Sequence, residues 1–550
     1  MAFGLAGALP AAFMIKAGLH PADAYSFMVM LWLLVGFFGA YCIAVMQQVK
    51  KKHAILLAVF WLTSINIWSL EGWSMVAIGM MLLPTYLVPI IKITQLNLTN
   101  RSQETKYHFC FVLTNLIVCV ISIFMDGYSF VFFVFGSFVI LIFNLYRNPR
   151  LLQAAYFLII HFVCLVVAYL LYSKYIGKSY WNPVEVPFSS TSGVDLSYII
   201  IPTHGLLWFF DMIGLSVQRS IHTHFGDWSV FNTTFALPII VFGLCCFYQL
   251  IKHNSRLKHM TVAFLLIALF GIYMVLGSDL RFFATRPLAG EYKITDFTII
   301  KTGSYYLYEF LPVLKVMRVI PRWVVLNVFG FWLILTLYFS STAGKIDKGL
   351  SWKSVILILL IIMNLPNMKQ QFQDNRFFRD NLLRIDKELV SSLAAKTHKG
   401  DVVAFVPFQN DIIVNYVASR LNIKAYNIGG DKNLKIAQNY WPKEMLALSW
   451  GNVYKTNEFA FNIASLLKSG KADIVVISYV DLLQAANLFP SFRDVINPPT
   501  GHQILMAKET HLSWPDQVRK GNGFPGLLKL LIDNHQMKVE DGELFAVIKR

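Results

Sequence analysis

Four arginines bracket one segment of this chain. Arg281 and Arg286 leave an apolar run in "GSDLRFFATRP", and Arg318 and Arg322 enter the next in "VLKVMRVIPRW". A guanidinium presents a planar fork of donors that matches phosphate oxygens. Arg318 and Arg322 are four apart, which puts them on one face if the segment is helical. Pro321 then marks a helix start or a kink. Tyr305, Tyr306 and Tyr308 precede them. Together these residues suit the phosphate or pyrophosphate of a lipid. The other reading is an interfacial anchor, since Arg and aromatic residues cap span ends in many membrane proteins.

Carboxylates supply the complementary chemistry. Asp126 lies in "SIFMDGYSF", Asp195 in "SGVDLSY" and Asp227 in "HTHFGD". A carboxylate facing an outer cavity can take the proton of an attacking hydroxyl. Asp126 also reads as a polar turn residue that keeps two apolar runs from fusing. His204, His222 and His224 share the segment with Asp195 and Asp227. His222 and His224 with Asp227 form an HxH pattern beside a carboxylate, which suits a divalent metal ion. No third spaced His/Cys motif accompanies it, and a cluster satisfied within its own loop is the alternative. A divalent metal is the one cofactor these residues suggest.

The elements that carry these groups are apolar. The chain has 550 residues, 56% hydrophobic and 14% charged, where soluble domains carry about 25% charged residues. Candidate spans run roughly 2–15, 24–46, 54–70, 73–91, 109–125, 128–146, 151–172, 230–251, 260–277, 322–342 and 353–366, about eleven at the usual length near 20 residues. The formal charge of +17 points to anionic headgroups and cytoplasmic loops, not to nucleic acid, because the basic residues are scattered. The six cysteines all lie in apolar runs and suggest neither disulfides nor a CxxC metal site. His161 is the clearest ionisable residue at mid-span, too little for an ion-coupled transport path.

The loops alternate. "QVKKKHA", "KITQLNLTNRSQETKYH", "RNPR", "KHNSRLKH" and "GKIDKG" are basic, while the opposite connections hold Glu71, Asp126 and two long segments, 173–229 and 278–321. Basic short loops stay cytoplasmic, so the long segments and everything after about 367 face outward. Within 173–229, "IIIPTHGLLWFFDMIG" reads as a re-entrant or interfacial helix. The tail from 367 alternates helix and strand. "DVVAFVPF", "IKAYNI" and "KADIVVISYV" are strand runs, and the end is a hairpin around Asp541-Gly542. It contains neither GxGxxG nor GxxxxGK[ST], so nucleotide binding is unsupported. The fold class expected is an α-helical polytopic membrane domain over 1–366, followed by an extracytoplasmic α/β domain over 367–550.

Long outer segments, a re-entrant stretch and an outer α/β tail together resemble the GT-C superfamily of polytopic glycosyltransferases, and more narrowly its YfhO-like bacterial membrane proteins. The local points are "HPADAYSFMVMLWLLVGFFGAYCIA", "LPVLKVMRVIPRW" and "VVAFVPFQND" with "NIKAYNIGG". The resemblance implies sugar transfer from a polyprenyl-phosphate-linked donor to a glycan or lipid acceptor outside the bacterial cytoplasmic membrane, with membrane lipids as partners and no nucleic acid. It also implies an acidic residue in the first outer loop as base or metal ligand. Here that loop, "KAGLHPAD", offers Asp23 and His20 without an acidic pair. The first 27 residues resemble the region before a later span of such proteins. The expectation is therefore a chain beginning downstream of the family's catalytic loop, or a non-catalytic member acting in transport or assembly of lipid-linked glycans.

The charge alternation has a direct test. Reporter fusions at Lys51, Arg101 and Lys258 should behave as cytoplasmic, and one at Lys399 as exported. A cytoplasmic signal at Lys399 would invert the topology.

Overall fold

The computed structural model describes residues 4–69, 74–95, 101–147, 151–177, 193–226, 228–253, 257–287, 297–311, 314, 317, 319–341, 352–427, 434, 437–483, 485, 489 and 523–550. The chain forms two compact units, Met1–Gln371 and Phe372–Arg550.

The first unit is a helical membrane bundle. Among the described residues, seven helices are long and apolar enough to cross a membrane: Pro21–Met46, Met75–Thr94, Gly127–Tyr146, Leu151–Ile176, Trp228–His253, Lys258–Val275 and Ile320–Ser341. The other expected stretches hold shorter helices, among them Leu5–Lys16, Lys51–Leu62, Phe109–Met125 and Trp352–Asn364. The helix Val324–Ser341 is buried on every side from Val324 to Phe339. Its sequence is apolar all round, as a helix enclosed by other helices must be. Trp332 anchors it by donating from Nε1 to the Leu57 carbonyl at 2.9 Å, and its ring lies 5.7 Å from that of Trp61.

Small residues let the helix Lys258–Val275 approach this axis backbone to backbone. A Cβ on Gly271 would stand 2.3 Å from the Asn327 nitrogen, and one on Gly330 would stand 2.5 Å from the Ala268 nitrogen. Asn327 Nδ2 donates to the Ala268 carbonyl across the same contact at 2.9 Å. Close packing of this kind stands in for the hydrophobic drive that lipid does not supply between helices. His161, buried between helices, is held in the same manner: Nδ1 pairs with Asn115 Oδ1 at 3.0 Å and Nε2 with Ser137 Oγ at 2.7 Å. It ties three helices together.

The long segment after residue 193 differs from the re-entrant helix expected. It forms two five-residue helices, Leu196–Ile200 and Trp208–Met212. Ile201 is extended before Pro202, because the pyrrolidine ring disfavours a helical residue ahead of it. In the second outer segment, strand β1 (Asp279–Leu280) pairs antiparallel with β2 (Ile300–Lys301).

The second unit is an α/β fold around one mixed sheet. Its strands are β3 (Val402–Val406), β4 (Lys424–Ala425), β5 (Ile474–Ser478), β6 (Lys538–Asp541) and β7 (Phe545–Lys549), in the order β4-β3-β5-β7-β6. β3 runs parallel to β4 and β5, and β7 is antiparallel to β5 and β6. Alternation sorts the side chains. Ala404, Val406, Val475 and Ile477 pack with the helices Thr456–Lys468 and Phe524–Asp533, whereas Val403, Phe405, Ile474 and Val476 pack with the helix Ile412–Leu421 and with Leu389 and Leu393. "IKAYNI" yields only the two-residue β4, and the closing hairpin turns at 542–544.

Gly330→Leu should prevent the Lys258–Val275 helix from seating, since its nearest neighbours are backbone and cannot yield. Gly136→Ala, whose Cβ would meet nothing closer than 3.9 Å, should be silent. Overpacking costs about 1–3 kcal/mol where side chains can shift, and more where they cannot. Melting of the purified protein in detergent, followed by tryptophan fluorescence, reads the contrast.

Candidate functional site

The two long segments between spans are laced together at their starts. Gly193 runs against Gly277: a Cβ on either would stand within 3.2 Å of the other's Cα. Val194 N donates to the Val275 carbonyl at 3.1 Å and Leu196 N to the Arg281 carbonyl at 2.9 Å. Asp195 sits at this seam, fully buried. Its carboxylate accepts from Ser197 N at 2.8 Å, Ser197 Oγ at 2.6 Å, Phe283 N at 3.1 Å and Ala284 N at 2.8 Å. It caps the helix Leu196–Ile200 and also holds the opposite segment, where Phe283 adopts a left-handed φ of 52°. Both oxygens are engaged.

Around this seam the chain gathers three guanidinium groups. Arg281 is 0% exposed. Its Nη2 donates to the Gly193 carbonyl, and its guanidinium lies 5.5 Å from the Phe225 ring centroid. Arg286 approaches the same ring at 5.7 Å and donates from Nη1 to the Ile221 carbonyl at 2.8 Å. Arg219 stacks over Tyr198 at 4.7 Å and donates to Thr203 Oγ1 at 2.9 Å and to the Ser197 carbonyl at 3.4 Å. Tyr198 in turn donates to the Phe225 carbonyl at 3.2 Å. Among the described residues, no carboxylate stands within ion-pair distance of these arginines, and Nε and Nη1 of Arg281 and Nε of Arg286 find no hydrogen-bond partner. A buried donor left unmade costs about 1–3 kcal/mol, more when charged.

Burial pulls the Arg219 and Arg281 guanidinium groups below their ordinary range, against the opposing influence of Tyr198 and Asp195. Both remain cations, because a guanidinium does not deprotonate in proteins. Burial, with a smaller push from Asp195, lifts the Tyr198 hydroxyl to about 12, so it stays a donor. Burial first, and then Arg219, lowers His224, which is therefore neutral at pH 7. The site has positively charged guanidinium groups, an aromatic wall, and one carboxylate already occupied. Its net charge is positive.

Arg322 is not part of this group. Its guanidinium lies 4.8 Å over the Tyr128 ring, and Val319 N donates to Tyr128 Oη at 2.6 Å. Beside it Asp126 is buried in the turn before the helix Gly127–Arg147 and accepts from Ser129 N at 2.9 Å. Burial lifts the Asp126 carboxyl to about 6, against the opposing Ser129 N–H and Arg322. The helical face expected to be shared by the two "RVIPRW" arginines involves Arg318, which lies outside the described residues. Val319 is non-helical, with φ −98° and ψ 83°, and the helical turn begins only at Ile320, with Pro321 in its first positions.

Of the other candidates, Asp227 and Arg318 lie outside the described residues. His222 is exposed, and His224 Nδ1 pairs with Thr223 Oγ1 at 2.8 Å. No group of three metal-ligating side chains occurs among the described residues. His204 stands at the edge of its segment, paired with Ser216 Oγ at 3.0 Å and Asp211 at 3.2 Å. Tyr305 and Tyr306 project from the short helix Ser304–Phe310, exposed, while Tyr308 is buried. Tyr198, Arg219 and Phe225 are the residues that pattern reading passed over. The signal was slight: an arginine three before the HxH motif in "QRSIHTHF".

No family model and no curated protein matches the chain. It is similar to the crystal structure of ArnT from Cupriavidus metallidurans in the apo state, with 10% identity over 99% of this chain and 86% of that one, at a TM-score of 0.35. It is likewise similar to the same protein bound to undecaprenyl phosphate, with 10% identity over 94% and 82%, at a TM-score of 0.33.

Asp126→Asn and Asp195→Asn should move the melting temperature in opposite directions at pH 7.5. A carboxyl raised from 3.8 to about 6 on folding favours the fold fully below pH 3.8 and loses that contribution as pH rises through 6. An uncharged amide at 126 removes a penalty of up to about 3 kcal/mol and flattens stability between pH 4 and 7. At 195 an amide supplies one acceptor oxygen in place of two, so donors on the 283–284 turn lose their partner and the protein melts lower.

Proposed function

We propose that this multi-pass membrane protein is a glycosyltransferase-like protein. It would take a sugar from a polyprenyl-phosphate-linked donor and pass it to a glycan or lipid acceptor on the outer side of the bacterial cytoplasmic membrane. The observation that carries the reading is Arg281: a fully buried cation with two N–H groups unpartnered among the described residues, flanked by Arg286, Arg219 and Phe225. Departure of a sugar leaves charge on the phosphate, and preorganised guanidinium groups stabilise that charge without reorganising. Arg286 presents the same unpaired Nε beside it.

The proton of the acceptor hydroxyl goes to a carboxylate in this reading. Asp126, with its carboxyl lifted to about 6, is matched to base chemistry near neutral pH. Asp195 instead fastens the segment that carries Arg281, because its oxygens are already taken. The second reading is a non-catalytic binder or assembly factor for lipid-linked glycans. What favours it is Asp195, whose two oxygens are already taken by hydrogen bonds within the protein.

Binding of a polyprenyl-phosphate analogue to wild type, Arg281→Lys and Arg281→Gln in detergent tests the phosphate site. A charge-assisted contact worth roughly 1.5–3 kcal/mol corresponds to a loss of about ten- to a hundredfold for Gln. Lys keeps the charge without the fork and should recover part of it. Equal affinities in variants that melt like wild type would remove the site. Asp126→Asn separates the two readings: an enzyme loses transfer while keeping donor binding, whereas a binder is unchanged in both.

A further inference from the structure

The helix Met368–Ile385 begins three residues after the apolar helix Trp352–Asn364 ends, and it is built unlike any span. Its C-terminal half is fixed on one side: Asn381 and Ile385 are buried, and Asn381 Nδ2 donates to the Ala485 carbonyl at 3.0 Å. At 3.6 residues per turn, the opposite side carries Met368, Lys369, Phe372, Arg376 and Arg379. Met368 is 63% exposed and Phe372 71%. The Arg376 side chain is 75% exposed and that of Arg379 44%. No carboxylate falls within this face. Asp374 lies on the far side, and Asp380 sits at the edge, 3.8 Å from Arg376 and 3.7 Å from Arg379.

From this placement we propose that the Met368–Arg379 face docks on anionic phospholipid headgroups of the membrane in which the chain is embedded. The reason is chemical match. A large apolar side chain pointed at water is tolerated singly, but Met368 and Phe372 stacked one turn apart form a strip. Three cations interleave with that strip at the same height. Apolar side chains that enter the acyl boundary, with guanidinium and ammonium groups level with the phosphates, are the makeup of an interfacial helix. A protein partner would call for a broader apolar surface and some counter-charge. The site is independent of Arg281 and of the transfer reaction.

The test uses the full chain in nanodiscs of phosphatidylcholine, with and without phosphatidylglycerol. Phe372→Trp, at an exposed position, reports by the emission it adds over the parent protein, and brominated lipids quench whatever lies in the acyl boundary. The added emission should be quenched at least twofold more strongly in discs containing phosphatidylglycerol. Reversal with Arg376→Glu and Arg379→Glu should return it to the level of neutral discs. Asp380→Asn, which removes the ion pairs but keeps the cations, should leave quenching as strong or stronger. Quenching that ignores the lipid charge, that survives the reversal, or that Asp380→Asn abolishes would each overturn the proposal, as would no quenching at all.

Discussion

The Asp195 carboxylate accepts hydrogen bonds from four donors on two segments 88 residues apart and fixes the seam between them. Among the described residues these segments hold only short elements. Their backbone groups must be satisfied by specific partners. A buried carboxylate with both oxygens saturated is costly to desolvate, and the return comes from fixing turns that would otherwise wander. The fixed turns include the one that begins at Arg281. Its guanidinium is therefore aimed by its neighbours: Gly193 takes one N–H, Phe225 forms the wall, and Asp195 holds the backbone that follows. Three guanidinium groups gather here, and the nearby acids, Asp195 and Asp279, are engaged in their own hydrogen bonds. The balance stays positive where burial makes charge most expensive. Preorganised cation sites have that character, since their stabilisation is realised only when an anion arrives.

Asp126 and Arg322 show the same two chemistries under a different balance. Asp126 has a helix N-terminus to cap and a guanidinium close enough to favour its charge, yet burial outweighs both and the carboxyl rises. Arg322 rests on Tyr128 in a cation–π contact, and Tyr128 also takes the Val319 N–H. A carboxyl near 6 carries a mixed population at neutral pH. Asp195, by contrast, has both oxygens committed to hydrogen bonds that fix a turn. The two acids differ by their surroundings and not by their residue type.

The bundle and the sheet were legible because their periods are strong. Apolar runs near twenty residues became helices, and "DVVAFVPF" and "KADIVVISYV" became β3 and β5, each sorting alternate side chains to opposite faces. The short β4 was over-read, because two paired residues suffice at a sheet edge and the pattern does not say where pairing stops. The site was legible only in part. Arg281 and Arg286 were singled out by placement, but their companions Arg219 and Tyr198 come from the other segment, and nothing in the linear order joins them. That pairing is made by the Gly193–Gly277 contact, a backbone event with no periodicity to detect. Arg322 begins a different neighbourhood: its helical turn opens at Ile320, with Val319 outside it, and its guanidinium lies over Tyr128.

Within the helix Met368–Ile385 no proline intervenes, and residues four apart share a face. At Pro321 the helical turn starts one residue earlier, at Ile320, and Val319 lies outside it. Spacing arguments hold only inside one element, so the boundary must be found first. Here the signals that mark boundaries are Pro202, Pro321 and the Gly193–Gly277 seam, and each lies within a few residues of a charged side chain that the site uses or sets apart. Breaks in regular structure free backbone and side chains to converge from distant parts of the chain. Converging groups, not periodic ones, bring Arg219, Arg281 and Arg286 around Tyr198 and Phe225.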